Sequence, residues 1–423
     1  MKRFMIHILL VTVLAAIFPL TTEARTPAKK ANKVLLVWES MENVVSYEVE
    51  ISDIRYQNKE QRVPNGHVIY RQDHIFAPGV EISTANLNGR AVGKLYYRVR
   101  ALDIDQNPIS LFTKSERLDH GFKDYPKPFA TSYFNNSRLV PLYPTYSWIP
   151  VLNAARYEVE ITNQQPENPN GTHSSMYRIT SQLVEGNSKF DSYDFTAYTA
   201  PGTYYWRVLA FDDQNNPIGS YSDAIPFTVH DGTQTFAALG DSITHGGGAI
   251  SNPPADKRYD YTYYVPYPVK NLGRSGDTSE AIVDRFDHDV LPFRPTYLFI
   301  LAGSNSIRGG TSAAEVIANF EQLKEKCSLN GITPVFLTLP PLNPARIERV
   351  FNQPTAENWQ EELAKTNRYL LQQKYVIDVY SQLVDKNGRL PENYSTDGLH
   401  PDIKGKKIIG NAVAAFIREF IQK

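Results

Sequence analysis

The chain changes its hydrophobic rhythm near residue 232. Ahead of that point apolar and polar residues alternate: in YEVEI, from Tyr47 to Ile51, Tyr47, Val49 and Ile51 fall on one side of a strand and Glu48 and Glu50 on the other. This period of two, the aromatic and β-branched enrichment, and the turn-like DQNP and DQNNP segments predict antiparallel β-structure. From Thr235 onward, short apolar runs alternate with amphipathic stretches, the pattern of an α/β layer fold. Strands are predicted over residues 235–239, 265–272, 297–302, 333–339 and 375–379. The clearest helix covers Ala313 to Leu329: Ser312 and Glu315 form a capping box, Val316, Phe320, Leu323 and Cys327 make one apolar stripe, and Asn330-Gly331 ends it. Another helix carries Trp359, Leu363 and Leu370, and the last starts near Asp402 with Ile409, Val413, Phe416 and Phe420 along one face. Helix after strand requires a crossover, so a parallel sheet covered on both sides is expected.

The β-patterned half is a repeat. Trp38 precedes YEVEI at 47–51, and Trp148 precedes an identical YEVEI at 157–161 with the same spacing. Farther on, YYRVRALDIDQNPIS from Tyr96 matches YYWRVLAFDDQNNPIGS from Tyr204, so one unit of about 110 residues occurs twice. Each unit resembles a fibronectin type III or related immunoglobulin-like module, a β-sandwich with an early core tryptophan and a late tyrosine/arginine strand. Aromatics at matching repeat positions read as core or sheet-face residues in preference to sugar-stacking platforms, so spacers or positioning modules are expected. Residues 116–138, with HGFKDYPKPF, read as the connector, and His230-Asp231-Gly232 marks the passage to the last part.

At 423 residues, two or three domains are expected, each able to bury a core. A net charge of -1 without a long basic run argues against a nucleic-acid partner. Lys2 and Arg3 precede an apolar stretch from Phe4 to Leu20, and Thr22-Glu23-Ala24 offers small residues for cleavage: the anatomy of a secretory signal peptide. The expected division is therefore a signal peptide over 1–24, modules over 25–125 and 126–231, and a final domain over 232–423. Localisation would be secreted or periplasmic, with no stable membrane insertion after cleavage. An uncleaved anchor is the alternative, though the apolar core is short for a span. Cys327 is the only cysteine, so no internal disulfide can form, and its place on the apolar stripe makes it a core residue. Scattered histidines, with no H-E-x-x-H and no paired cysteines, give no metal site, and no cofactor is expected.

Four short blocks carry the candidate chemistry: LGDSIT at 239–244, NLGRSGDTS at 271–279, GSN at 303–305 and DGLHP at 397–401. A serine just past a strand's carboxyl end, beside a glycine, is where an α/β sheet exposes a nucleophile. In this order the blocks resemble the SGNH (GDSL) hydrolase superfamily, with Ser242, Gly276, Asn305 and His400 at the four matching positions. The resemblance covers residues 232–423 and implies an α/β/α, flavodoxin-like domain.

A serine hydroxyl needs a base, and His400 is the candidate; Asp397, three residues earlier, can orient the ring and stabilise the imidazolium, the role the family's D-x-x-H block implies. An oxyanion would be received by the backbone N–H groups of Ser242 and Gly276 and the side-chain amide of Asn305. The family usually reads G-x-N-D, whereas this chain has Ser306, which bears on loop geometry more than on chemistry. HGGG at 245–248 is similar to the oxyanion loop of another esterase class, but the G-x-S-x-G of that class is absent, so it reads as a flexible rim, with His245 as an alternative base. Asp241 is expected to fix the loop by backbone hydrogen bonds. Tyr259, Tyr261, Tyr263, Tyr264 and Tyr267, followed by Lys270 and Arg274, either edge the cleft and stack on sugar rings or pack a short helix and strand. Candidate substrate-binding residues are His245, Tyr261, Tyr263 and Arg274.

The resemblance implies a serine esterase working through an acyl-enzyme on Ser242, in a family that includes lipases, thioesterases and carbohydrate O-acetylesterases. An exported, disulfide-free chain with sandwich modules and no evident apolar lid favours the last, acting on an acylated small molecule or an acetylated polysaccharide or glycan. A lysophospholipase or acyl thioesterase, and a non-catalytic glycan-binding or adhesion protein with a decayed hydrolase domain, are the alternatives.

Overall fold

The computed structural model describes residues 32–59, 65–132, 134, 140–186, 189–248 and 255–421. The expected signal peptide lies outside these residues.

Both repeat copies are antiparallel β-structure. In the first, Gly79–Ser83, Lys33–Val37 and Phe122–Lys123 form one sheet, and Val68–Ile75, Ser46–Ser52, Tyr96–Leu102 and Glu116–Arg117 form another. Val34, Leu36, Val80 and Ile82 from one sheet and Tyr47, Val49, Ile51 and Val99 from the other share a single apolar cluster. The second copy joins Asp191–Tyr193, Thr145–Ile149 and Phe129–Ala130 in one sheet, and Arg178–Glu185, Arg156–Thr162 and Gly202–Phe211 in the other, with Pro217–Ile218 and Ile225–Val229 both pairing with the last of these. The repeat extends to side-chain detail. Trp38 packs on Tyr47 with ring centroids 5.3 Å apart and Trp148 on Tyr157 at 5.1 Å, and the two tyrosine hydroxyls accept from the backbone N–H of Met41 and of Val151. The connector is shorter than the pattern suggested, because Glu116–Arg117 and Phe122–Lys123 pair into the two sheets of the first unit.

On the glutamate side of the YEVEI strands Glu48, Glu50 and Glu160 are also buried, Glu158 is half-buried, and arginines make this possible. Arg98 meets Glu50 at 2.8 Å and Arg207 meets Glu160 at 2.5 Å, with all four side chains almost inaccessible. Arg71 and Arg178, from the neighbouring strands, add second contacts to the same glutamates. A carboxylate at this depth is tolerated only when paired and hydrogen-bonded.

In the last part five parallel strands lie side by side in the order Val269–Gly273, Phe236–Gly240, Tyr297–Leu301, Thr333–Leu337, Val376–Ile377. Alternate residues serve opposite faces. Ala237, Leu239, Leu298 and Ile300 join a cluster with Val316, Phe320, Leu323 and Cys327, while Phe236, Ala238, Phe299 and Leu301 join one with Ile409, Val413 and Phe416. The helix Ala313–Leu329 and its Ser312/Glu315 capping box are present, and burial pushes the Cys327 thiol up to about 12. The edge strand starts at Val269 and not at 265, since Tyr261–Tyr264 is a 3₁₀ turn and Pro266 and Pro268 lack the N–H a ladder needs. Phe420 leaves the apolar face and is 57% exposed, because Ile417–Ile421 widens into a π-helical turn.

The second β unit is docked into this layered part. Leu142 and Tyr143 belong to its apolar cluster, Leu142 N–H donates to Asn271 O at 2.9 Å, and Lys270 Nζ donates to Val140 O at 2.8 Å. The exposed edge of the parallel sheet is thereby covered, and burial pushes the Lys270 ammonium down to about 7. The first unit reaches the assembly through Phe76, stacked on Phe190, through Ser40 O, which accepts from Arg258, and through an Asp105–Arg349 ion pair.

Removing one partner of a buried pair strands the other. Glu160→Ala is expected to destabilise the second unit by about 3 kcal/mol or more, with Glu160→Ala/Arg207→Ala losing less than the sum of the single changes. Urea denaturation of the four proteins measures this, and additive losses would count against a coupled pair.

Candidate active site

Phe236–Gly240 sits between the second and third strands of its domain, so the chain leaves it in opposite directions on its two sides, and the crevice at its carboxyl end is where such sheets take ligands. Ser242 lies there. Asp241 caps the short helix Ser242–His245, its Oδ1 accepting from Ile243 N–H at 2.9 Å, in line with the loop-fixing role expected of it. Burial pushes this carboxyl up to about 6.

Ser242 Oγ and His400 Nε2 are 2.8 Å apart, and His400 Nδ1 is 2.7 Å from Asp397 Oδ2. Asp397 Oδ1 also accepts from the backbone N–H groups of Leu399 and His400. Burial acts to raise the Asp397 pKa, but the charge of His400 and these hydrogen bonds outweigh it and leave the carboxyl below its usual range. The closing loop is fixed from outside as well. Asn343 N–H donates to Gly398 O, Arg346 Nε to Thr396 O, and Asp402 caps the last helix, Ile403–Phe416. From that helix the buried Lys406 donates to Ile243 O at 2.6 Å, tying the element that follows His400 to the turn that carries Ser242.

Gly276 and Asn305 line the same cavity of about 430 Å³ as Ser242, His400 and Asp397. Gly276 has φ +90°, a conformation that suits glycine. Asn305 Nδ2 donates one hydrogen to Asp277 O at 3.0 Å and keeps a second. Ser306, the departure from G-x-N-D, acts as a link: its Oγ accepts from Ser279 N–H and joins the Asn305 turn to the helix Ser279–Asp284. Behind the site, Arg285 donates to Gly240 O and Leu272 O, clamping two strand ends, and pairs with Asp277 and Asp289; Tyr143 of the second β unit also donates to Asp289.

The four proposed substrate-binding residues are placed elsewhere. His245 is buried, with Nδ1 2.8 Å from Ser275 Oγ of its own domain and Nε2 2.7 Å from Tyr143 O of the β unit, so both nitrogens are engaged within the protein and the ring is absent from the cavity lining. Tyr261 is fully buried in the apolar cluster under the last helix. Tyr263 is exposed beside Lys257, outside the cavity lining. Arg274 is spent on Asp277 and lies over the Tyr143 ring. Of the tyrosine run, core packing is the outcome for Tyr259 and Tyr261. The HGGG segment is a close-packed element: the backbone N–H groups of Gly246 and Gly247 both donate to Ser242 O, and a Cβ on Gly247 would come within 2.8 Å of the His400 ring.

The pattern reading missed Phe190, Asp191 and Tyr193 of the second β unit, and Arg308, Phe351 and Gln353, all of which line the cavity. Three of these lie in a repeat whose residues carry no catalytic motif, so the only available signal was a place where the two copies differ. A larger cleft, about 1040 Å³, lies between the two β units and contains none of the four blocks. Among the described residues no cluster of His, Cys, Asp or Glu is arranged to hold a metal ion.

Residues 238–408 match the GDSL-like Lipase/Acylhydrolase family, a span that contains all four blocks. Similar solved structures include a putative acylhydrolase from Bacteroides fragilis, 23% identical over 44% of this chain and 86% of that one, with a TM-score of 0.34. A GDSL-like lipase from Bacteroides thetaiotaomicron is 24% identical over 44% and 87%, TM-score 0.35, and a lipase/acylhydrolase from Enterococcus faecalis 22% identical over 44% and 96%, TM-score 0.36. No match was found among curated protein sequences. The C-terminal part therefore carries a GDSL-like lipase/acylhydrolase domain with a parallel sheet, a family consistent with ester hydrolysis.

The His245 imidazole makes a pH prediction. Burial pushes its pKa down to about 4, against an ordinary value near 6.5, so the unfolded chain binds more protons between these values. The stability it supports is complete above about pH 6.5 and falls as pH drops toward 4, by about 3 kcal/mol in all. Thermal unfolding from pH 7.5 to 4 should therefore show a steeper acid loss for the wild type than for His245→Gln; parallel profiles would refute the assignment.

Proposed function

We propose that the protein is an exported serine esterase, a carbohydrate O-acetylesterase that forms an acyl-enzyme on Ser242. The observation that carries the reading is the unbroken hydrogen-bonded series from Ser242 through His400 to Asp397 at the mouth of a parallel sheet. Ser242 Oγ attacks the ester carbonyl carbon as His400 Nε2 takes its proton, and Asp397 stabilises the imidazolium. The negative charge on the carbonyl oxygen is received by the N–H groups of Ser242 and Gly276 and the second amide hydrogen of Asn305. His400 then gives its proton to the departing alcohol. Water, deprotonated by the same imidazole, attacks the acyl carbon and releases the acid and the Ser242 hydroxyl.

Export is supported by Lys2-Arg3, the apolar run that follows and the lone buried Cys327. A secreted or periplasmic site of action is the corresponding reading. The two repeats are read as fibronectin type III-like sandwiches that position the esterase. A short acyl group and a sugar alcohol suit a compact cavity whose lining mixes Asp191, Arg308 and Gln353 with aromatic rings.

With 4-nitrophenyl acetate, Ser242→Ala and His400→Ala are each expected to lower kcat by about a thousandfold or more, nearly equally, because nucleophile and base act as one unit. A His400→Ala rate within about threefold of wild type would sink the role given to the imidazole. Acetate release from acetylated oligosaccharides, absent in Ser242→Ala, and faster turnover of acetyl than of long-chain nitrophenyl esters test the substrate class. Preference for the long chain would point to a lysophospholipase or acyl thioesterase.

A further inference from the structure

The cavity wall supplied by the second β unit takes no part in the steps above. Asp191–Tyr193 is the edge strand of its sheet, with Asp191 opposite Ser147 and Tyr193 opposite Thr145. Strand side chains alternate, so Asp191 and Tyr193 share one side while Ser192 turns inward, where it is buried and bonded to Gln182. Asp191 and Tyr193 line the cavity that holds Ser242 and His400. We infer that Asp191 and Tyr193, with Arg308 and Gln353 of the last domain, hold the alcohol half of the ester and select a polyhydroxylated one, a sugar ring. This rests on reading Ser242 as an esterase nucleophile.

The repeat itself separates structural need from this role. In the first unit Val37 pairs with Gly79 and Leu35 with Glu81, and these positions correspond, one repeat earlier, to Ser147 with Asp191 and Thr145 with Tyr193. The module therefore builds the same strand with glycine and glutamate, and nothing in its fold demands an aspartate or a tyrosine there. The Asp191 carboxylate is half-buried at the cavity wall, and this burial pushes it up to about 6, with only the charge of Lys189 opposing; among the described residues nothing donates to it. A half-buried acceptor with no protein donor is open to the hydroxyl groups of a ligand.

The remaining lining has matching chemistry. Arg308 donates to Gln353 at 3.0 Å, and its buried Nε has no partner among the described residues. Phe190, Tyr193 and Phe351 add ring faces of the kind that pack against the apolar side of a sugar. An alkyl chain would leave both Asp191 and the Arg308 Nε unsatisfied, whereas a ring bearing several hydroxyls offers donors to the one and acceptors to the other. The wall is also held in place. Asp194 accepts from the hydroxyls of Tyr146 and Tyr198 just beyond the strand, and Phe190 stacks on Phe76 of the first unit.

The test uses the full chain and chemically acetylated cello-oligosaccharides. By calorimetry, the Ser242→Ala protein should bind them, and adding Asp191→Ala should weaken Kd by about tenfold, the equivalent of one to two hydrogen bonds, while Asp191→Asn weakens it by about threefold. In the active protein, the ratio of kcat/KM for the acetylated oligosaccharide to that for 4-nitrophenyl acetate should fall by about tenfold in Asp191→Ala, chiefly through KM. No binding by the Ser242→Ala protein, or unchanged Kd and ratio in Asp191→Ala, would overturn the inference. Should Asp191→Ala fail to fold, Asp191→Asn decides: the smaller loss supports the inference, and no loss overturns it. Binding that depends on Asp191 without any ester turnover would sink the esterase reading alone, and nitrophenyl acetate turnover without oligosaccharide binding would sink this inference alone.

Discussion

The hydrogen bond between Ser242 and His400 joins residues 158 positions apart, and the proposed chemistry depends on its length. Neither side chain can find the other by local structure. Ser242 is set by the end of a central strand, whose last carbonyl is gripped by Arg285, and His400 is set by a loop whose carboxylate also receives two backbone N–H groups. Lys406 bridges the two. A serine becomes a nucleophile only within hydrogen-bond reach of a base, so the proposed chemistry needs these supports as well as Ser242, His400 and Asp397 themselves.

The same logic extends into the second β unit. Tyr143 reaches Asp289, Asp289 holds Arg285, Arg285 holds Asp277, and the backbone carbonyl of Asp277 takes the amide of Asn305. A continuous polar path thus runs from the repeat to the amide that would receive the oxyanion. Polar networks of this kind are favourable only when every member is satisfied, which makes the catalytic part and its neighbouring repeat one structural unit near the site.

What the sequence disclosed follows from the range of the interactions involved. The serine block, the capping box of Ala313–Leu329 and the D-x-x-H turn are local, and residue order alone is enough to recognise them. The tyrosines after Tyr259 could not be assigned by pattern, because a short 3₁₀ segment buries Tyr261 and exposes Tyr263 without a repeating period. His245 misled for a related reason. A histidine beside a nucleophile reads as chemistry until a carbonyl from residue 143 is seen to occupy its ring nitrogen. The cavity wall from Phe190 to Tyr193 was invisible because its neighbours in space come from a different part of the chain.

Duplication explains how such a wall arises. In the first copy, the edge strand Gly79–Ser83 faces the second copy: Glu81 accepts from Leu152 N–H, and a Cβ on Gly79 would collide with Ile149. In the second copy, the equivalent strand faces the C-terminal domain. One sheet edge is therefore used twice in series, each time against the next unit along the chain, and only its side chains change. Glycine permits close approach where the neighbour is another β unit, whereas aspartate stands where the neighbour is the cavity lined by Ser242 and His400. Divergence between copies at positions the sheet does not constrain is thus a physical record of what each copy touches.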